Sequence, residues 1–191
     1  ATGRKPNTAN IGLENTDIST NERGAIVVND TCESSVPGVY AVGDVNGGPQ
    51  FTYISLDDFR IVFGTLTGSG SYTLKDRKNI PYTTFLTPPL ARVGLTEKEA
   101  INKGYTVKTK EMLVATMPRA HVNDYLKGAF KIVVNADNDL ILGATLYSQG
   151  AEELINLIKM AMDNNIPYTY FKNQIFTHPT MAENLNDLCN F

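Results

Sequence analysis

The sequence has little cysteine, no excess of basic residues and no long apolar run. Its 191 residues include two cysteines, Cys32 and Cys189, which are too few for a disulfide framework and lack metal-ligand spacing. Lys plus Arg is 17 and Asp plus Glu is 20, a formal net charge of −3, so no positive excess exists to neutralise nucleic-acid phosphates. No stretch approaches the roughly 20 apolar residues of a membrane-spanning helix, and no signal-peptide pattern opens the chain. We therefore predict a cytoplasmic protein with no metal site and with neither nucleic acid nor a membrane as partner.

The composition is that of a folded chain with room for one large domain or two small ones. Hydrophobic residues make up 42% and charged residues 19% of the sequence, which allows a buried core. Residues 64–78 are rich in Gly, Ser and Thr and have no apolar period, so we predict two domains, 1–78 and 79–191. Residues 1–7 resemble the end of a strand that turns into a loop, which favours a chain cut from a longer protein. An ordinary processed N-terminus is an equally good interpretation.

The first predicted domain has α/β features. A β-branched run at residues 25–28 predicts a strand, and residues 39–44 predict a buried strand that ends in Gly-Asp. Apolar residues at helical spacing predict a helix over residues 50–63, with Pro49 near its first turn.

The second predicted domain has an α+β pattern. Thr96 with Glu99 three residues later is a capping box, and it predicts a helix that ends at Gly104. Residues 151–162 predict an amphipathic helix whose apolar stripe belongs to a core or a dimer contact, and Pro179 at the first helical position predicts a last helix to Leu188. Strands are predicted over residues 83–86, 91–95, 105–115, 130–134 and 140–146. Together these elements predict an antiparallel sheet with helices packed on one side.

Gly43 and Asp44 form the first candidate site. An acid at the carboxyl end of a strand, beside a glycine that permits close approach, is typical of α/β sites that hold hydroxylated ligands. The helix that follows would direct its free N–H groups toward an electron-rich ligand atom. From the dipeptide alone, an Asp that closes an ordinary turn is the commoner interpretation.

His178 and Glu183 form the second candidate site. The carboxylate lies within reach of one imidazole nitrogen, where it would set the tautomer and raise the basicity of the other nitrogen. From these residues alone, a capping histidine with a solvated glutamate is the commoner arrangement. The single thiols Cys32 and Cys189 are most simply structural, His121 is expected in a surface loop, and Arg92 has no specified acidic partner.

Five segments stand in a fixed order along the chain: residues 1–7 (ATGRKPN), 38–45 (GVYAVGDV), 49–53 (PQFTY), 91–97 (ARVGLTE) and 178–183 (HPTMAE). In this order they resemble the C-terminal part of the class I pyridine nucleotide–disulfide oxidoreductases, and the resemblance covers essentially the whole chain. The resemblance implies a partial α/β FAD-binding domain followed by an α+β interface domain that forms a homodimer.

The resemblance also implies roles for individual residues. Gly43 and Asp44 would belong to the second FAD-binding motif, with Asp44 bonding a ribityl hydroxyl. The helix start at Gln50, Phe51 and Thr52 would approach the flavin ring. His178 would be the acid/base, paired with Glu183, and would serve the redox cysteines of the other subunit. The intact protein would use FAD and NAD(P)H, and the resemblance leaves open whether this chain alone retains FAD.

Residues 50–60 and 183–188 resemble the mercuric-reductase-like and reactive-chlorine-resistance members. That similarity implies oxidants such as hypothiocyanite, or a metal ion, as candidate substrates, while the single Cys189 in place of a terminal cysteine pair counts against mercury. The family's GxGxxG loop, CxxxxC disulfide and NAD(P) domain are absent from the sequence. We therefore expect this chain to supply dimerisation, part of the FAD site and the His–Glu dyad without catalysing the reaction alone. The alternative is a non-catalytic dimerisation module.

Overall fold

The computed structural model describes residues 3–191 and divides the chain into two compact units, Ala1–Lys78 and Asn79–Phe191. The predicted strand end at Ala1 and Thr2 lies outside the described residues. Within the described part of the chain, no helix is both long and apolar enough to cross a membrane.

The first unit is built around one long helix, α1 (Thr52–Thr67), with short 3-10 helices at Leu13–Asn15, Gly43–Asn46 and Leu74–Asp76. Helix α1 begins after Phe51, so Pro49 lies outside it, and Gly68 ends it with a φ of 66°. It buries Ile54, Asp58 and Ile61.

The strands predicted in the first unit are wrong as strands. The described residues form only isolated bridges there, Thr20 with Ile26 and Glu33 with Tyr40. A strand needs a neighbouring strand to pair its backbone groups. In this unit the Ile26 N–H donates instead to Val45 O, in the 3-10 helix Gly43–Asn46, over 2.9 Å.

The second unit contains a five-stranded antiparallel sheet, which confirms the α+β prediction. Its strand order is β1-β2-β5-β4-β3, from β1 (Tyr82–Thr84), β2 (Leu90–Gly94), β3 (Val107–Leu113), β4 (Ala129–Asn135) and β5 (Ile141–Tyr147). The bounds differ from the predicted ones by one to two residues at most ends. The hairpin of β4 and β5 aligns Phe130 with Leu146, so both side chains face the core and are fully buried.

Helices α2 (Glu97–Asn102), α3 (Pro118–Val122), α4 (Ala151–Asp163), α5 (Tyr168–Asn173) and α6 (Asn184–Leu188) complete the unit. The capping box of α2 is confirmed, since the Thr96 side chain accepts from the Glu99 N–H and Glu99 bonds back to the Thr96 N–H. The apolar face of α4 packs against β2 and β5 and is buried in the unit's own core. Of the two interpretations of this stripe, core or dimer contact, the structure gives the core, so α4 does not leave its apolar face exposed in the single chain.

The last helix starts later than predicted. Pro179 does not open it: α6 begins at Asn184, with Glu183 at the N-cap position. The reason is local, because the Thr180 hydroxyl accepts the Glu183 N–H over 3.2 Å and donates to Thr177 O over 2.8 Å. These two bonds close a turn where a first helical turn was predicted.

Candidate functional site

His178 and Glu183 are in direct contact. The imidazole Nδ1 lies 2.9 Å from Glu183 Oε2 and 3.1 Å from Oε1. The histidine side chain is 72% exposed, whereas the glutamate side chain is 16% exposed. A shielded carboxylate at Nδ1 favours the tautomer with its proton there, which leaves Nε2 as the basic atom on an exposed ring. Such a pair can take up and return a proton at Nε2.

Gly43 and Asp44 lie in the 3-10 helix Gly43–Asn46 rather than at the end of a strand, which corrects the predicted local structure. Gly43 is buried with a φ of 71°, and a Cβ there would lie 2.9 Å from Ser55 Oγ. The Asp44 side chain is 50% exposed and accepts from the Arg4 guanidinium at 3.4 Å. The glycine thus brings its backbone against α1 and leaves the carboxylate at the surface of the first unit.

Gln50, Phe51 and Thr52 lie at the start of α1. Phe51 is the N-cap residue, 38% exposed, and no side chain caps the helix, of which Thr52 is the first residue. The first N–H groups of a helix have no partner within it and carry partial positive charge. This end of α1 is therefore suited to an electron-rich group.

A buried carboxylate behind the Gly43–Asn46 turn was missed from the sequence. Asp58 is fully buried, and its Oδ2 accepts from the Gly43 N–H at 2.7 Å and from Asn46 Nδ2 at 2.9 Å. Its Oδ1 accepts from Arg77 at 2.5 Å, and Arg77 also donates to Asp57 at 2.8 Å. Hydrogen bonds to the two carboxylates favour the charged guanidinium and raise the pKa of Arg77 against the lowering effect of its burial.

The only feature of the sequence that indicates this network is the pair of adjacent acids in α1, Asp57 and Asp58. One of them occupies a position of the buried helical face, where an aspartate needs partners. Nothing in the local sequence indicates that the partner is Arg77, which lies 19 residues further along the chain.

The two thiols are buried and free. Burial raises the pKa of Cys189 to about 12, and burial followed by the charge of Asp58 raises that of Cys32 to about 11. Both are therefore protonated and poorly nucleophilic near neutral pH, as the structural interpretation predicted.

His121 and Arg92 have ordinary surroundings. His121 lies in α3 rather than in the predicted loop, and its Nε2 is 2.8 Å from Ala115 O. Arg92 lies 3.8 Å from Glu99 and over the ring of Tyr82. Over residues 3–191, no three or more His, Cys, Asp or Glu side chains gather where they could hold a metal ion.

The comparison with family models matches both units. Residues 80–189 match the pyridine nucleotide-disulphide oxidoreductase dimerisation domain, and residues 1–58 match the pyridine nucleotide-disulphide oxidoreductase model. Among curated relatives, the probable pyridine nucleotide-disulfide oxidoreductase RclA of Escherichia coli is 48% identical over 188 residues, which is 98% of this chain and 43% of that protein. A mercuric reductase of Staphylococcus aureus is 36% identical over 97% of this chain and 34% of its own length.

Solved structures give the same picture. The HOCl-induced flavoprotein disulfide reductase RclA from Escherichia coli matches with a TM-score of 0.96 at 47% identity, over 99% of this chain and 43% of that one. The chain thus spans less than half the length of the relatives named here. With the dimerisation-domain model matched over 110 residues of this fold, the chain belongs to the pyridine nucleotide–disulfide oxidoreductase family.

Proposed function

We propose that this chain forms part of a homodimeric, FAD-dependent oxidoreductase that passes electrons from NAD(P)H through FAD and a redox disulfide to an oxidised substrate. In that protein it supplies the dimerisation domain, part of the FAD site and the His178–Glu183 dyad. The observation that carries the proposal is the dyad geometry, a shielded carboxylate on Nδ1 of an exposed imidazole. The buried free thiols agree with a reducing compartment, so we assign the protein to the cytoplasm.

The residues of the first unit suit FAD. Asp44 presents a half-exposed carboxylate, which accepts hydrogen bonds from hydroxyl groups of the kind found on a ribityl chain. Gly43 has its backbone against α1, and the uncapped start of that helix at Gln50, Phe51 and Thr52 favours electron-rich atoms. When bound, FAD carries the two electrons between the nicotinamide and the cysteine pair.

His178 takes up and returns a proton in the disulfide half-reaction. Two-electron reduction of the cysteine pair with uptake of one proton would give a thiol and a thiolate. An imidazole beside them would take the proton of the thiol at Nε2, which leaves a second thiolate, and would return that proton when the oxidised substrate takes the two electrons and the disulfide re-forms. Glu183 stabilises the imidazolium that forms in between and keeps the ring oriented. The cysteines would belong to the partner subunit, which makes the dimer a condition for activity.

The relatives support a proposal for the substrate class. One solved relative is described as an HOCl-induced flavoprotein disulfide reductase, and curated relatives include mercuric reductases. We infer an oxidant of the reactive-chlorine response or a metal ion as electron acceptor.

The test uses the longer flavoprotein that carries this chain. We expect His178→Ala to slow substrate reduction by about 10²- to 10⁴-fold, the usual contribution of general acid–base catalysis, with its FAD content unchanged. Asp44→Ala is expected to weaken FAD binding by roughly tenfold to a hundredfold, the value of one hydrogen bond to a charged group. His121→Ala is the matched control, because it removes the other histidine. Equal losses of turnover and FAD in His178→Ala would contradict the acid/base role.

A second candidate function, a dimerisation module without catalysis, is favoured by one observation. Phe85, Leu86 and Ile175 of the second unit are 79%, 53% and 94% exposed. Exposed apolar side chains of this size are typical of an interface. Light scattering on the isolated chain tests it: a dimer without bound flavin supports the module, and a monomer at high concentration contradicts it.

A further inference from the structure

One side chain joins two helices on either side of the dyad. The amide nitrogen of Asn186, in α6, donates to Phe171 O at 2.5 Å, to Gln174 O at 3.0 Å and to Lys172 O at 3.3 Å. These three carbonyls belong to the last turn of α5 and to the residue that follows it. The last carbonyls of a helix lack the usual N–H partners within it. This amide bonds the carbonyls of Lys172 and Gln174 and adds a second donor to that of Phe171, which also accepts from the Gln174 N–H at 3.4 Å.

The contact closes the segment that carries the dyad. Residues 174–183 form neither a regular helix nor a strand, and they include both His178 and Glu183. Asn186 ties the start of this segment to the helix that follows its end. Its half-buried position and its three backbone acceptors distinguish it from a solvated surface asparagine.

The end of the segment is fixed by a second set of bonds. Asn184 is 2% exposed and donates to Thr180 O at 3.2 Å and Met181 O at 3.1 Å, while Thr180 accepts from the Glu183 N–H. Contacts within residues 180–184 thus fix the backbone at Glu183. From the side of α5, the described contacts that hold the approach to His178 are the packing of Phe176 against the core and the hydrogen bonds of Asn186, which are the polar part of that support.

We propose that Asn186 is a positioning residue for the His178–Glu183 pair. By fixing the distance between the end of α5 and the start of α6, it keeps the imidazole Nδ1 on the carboxylate. The consequence for catalysis rests on the proposed function, whereas the consequence for the imidazole is a property of this chain. A residue that only stabilises the fold would leave the histidine tautomer unchanged in any variant that still folds.

The experiment reads the tautomer directly. The sequence has two histidines, so a long-range 1H–15N spectrum of the 191-residue chain resolves both rings, and His121→Gln assigns them. At about pH 9, where an ordinary imidazole is neutral, we expect the Nδ1–H form of His178 to dominate. Asn186→Leu and Asn186→Ala both remove the amide donor, the first with a side chain of similar size and the second with a smaller one. Each is expected to lower the ratio of Nδ1–H to Nε2–H forms by about threefold or more, because hydrogen bonds weaken steeply off their geometry.

The matched control is Asn164→Leu. Asn164 is the residue that caps the end of α4, and its side chain donates to Met160 O of that helix at 2.8 Å rather than to a second segment. We expect the Asn164→Leu substitution to leave the His178 spectrum unchanged. Circular dichroism selects the variants that fold, and either Asn186 variant alone suffices.

The outcomes separate the two claims. A folded Asn186 variant with an unchanged His178 tautomer overturns the inference. A shifted tautomer supports it, and the longer flavoprotein then tests the proposed function independently. If His178→Ala leaves turnover intact there, the catalytic role fails while the positioning role stands.

Discussion

Asp58→Asn tests the buried support of the Gly43–Asn46 turn. The substitution keeps the shape of the side chain but removes its charge and turns one acceptor into a donor, which then faces the Gly43 N–H or Arg77. Breaking a buried ion pair from one side costs about 3–5 kcal/mol. Because Asp57 still neutralises Arg77 at 2.8 Å, we expect the lower end of that range, about 3 kcal/mol.

Hydrogen exchange followed by mass spectrometry measures this loss where it occurs. A local loss of about 3 kcal/mol corresponds to roughly a hundredfold faster exchange, since 1.4 kcal/mol is a factor of ten. We expect this in the peptide that covers residues 43–46, with little change in the sheet of the second unit. The measurement compares the variants without added cofactor.

Asp57→Asn is the matched control for this prediction. Asp57 shares Arg77 and also accepts from Tyr72 at 3.4 Å, but it does not contact residues 43–46. Its substitution is expected to leave the exchange of that peptide within a few-fold of the parent chain. If the two variants accelerate exchange equally, the guanidinium and not the Asp58 carboxylate holds the turn, and the reasoning is refuted.

Three other predictions concern the thiols and the buried glycine. Burial raises the pKa of Cys32 to about 11 and that of Cys189 to about 12, from an ordinary 9.0. The alkylation rate of either thiol in the folded chain near pH 8 should therefore be about a hundredfold or more below that of an ordinary thiol. Mass spectrometry that finds either cysteine labelled at the ordinary rate contradicts this. Between about pH 9 and 11 the unfolded chain loses thiol protons that the folded chain keeps, so urea midpoints should fall as pH rises, and less so in Cys189→Ala. Gly43→Ala should lower the free energy of unfolding by about 1–2 kcal/mol for its left-handed backbone, plus the cost of displacing Ser55. Gly38→Ala, at φ 79° with open space around it, carries the backbone cost alone. Equal thermal shifts in the two variants would contradict the close packing at Gly43.

The second unit was largely predictable because its signals are local. The capping box of Thr96 and Glu99 and the apolar period of α4 are each contained within a turn or two of helix, and both are found as predicted. Turn residues separate the apolar runs of the five strands, so the bounds of each strand could be predicted to within a few residues. Their spatial order, with β5 between β2 and β4, depends on pairings far apart in sequence.

The failures occur where distant or competing contacts decide the structure. Residues 25–28 have strand propensity but only an isolated bridge at Ile26 in the described chain. Pro179 is compatible with a helix start, yet the Thr180 hydroxyl takes the Glu183 N–H and delays α6 to Asn184. The partners of Asp58 and Asn186 lie 12 to 19 residues away, beyond the reach of a local pattern.

The candidate site residues share a physical requirement that explains these hidden partners. In the proposed function Asp44 and His178 reach a cofactor and a partner subunit, and their side chains are 50% and 72% exposed. An exposed side chain on an irregular segment has few contacts of its own to fix it. Its position must therefore come from buried or half-buried polar groups behind it that bond the backbone, and Asp58 and Asn186 do this in the two units. Residues of this kind carry no motif, which is why the exposed residues can be predicted from sequence and their supports cannot.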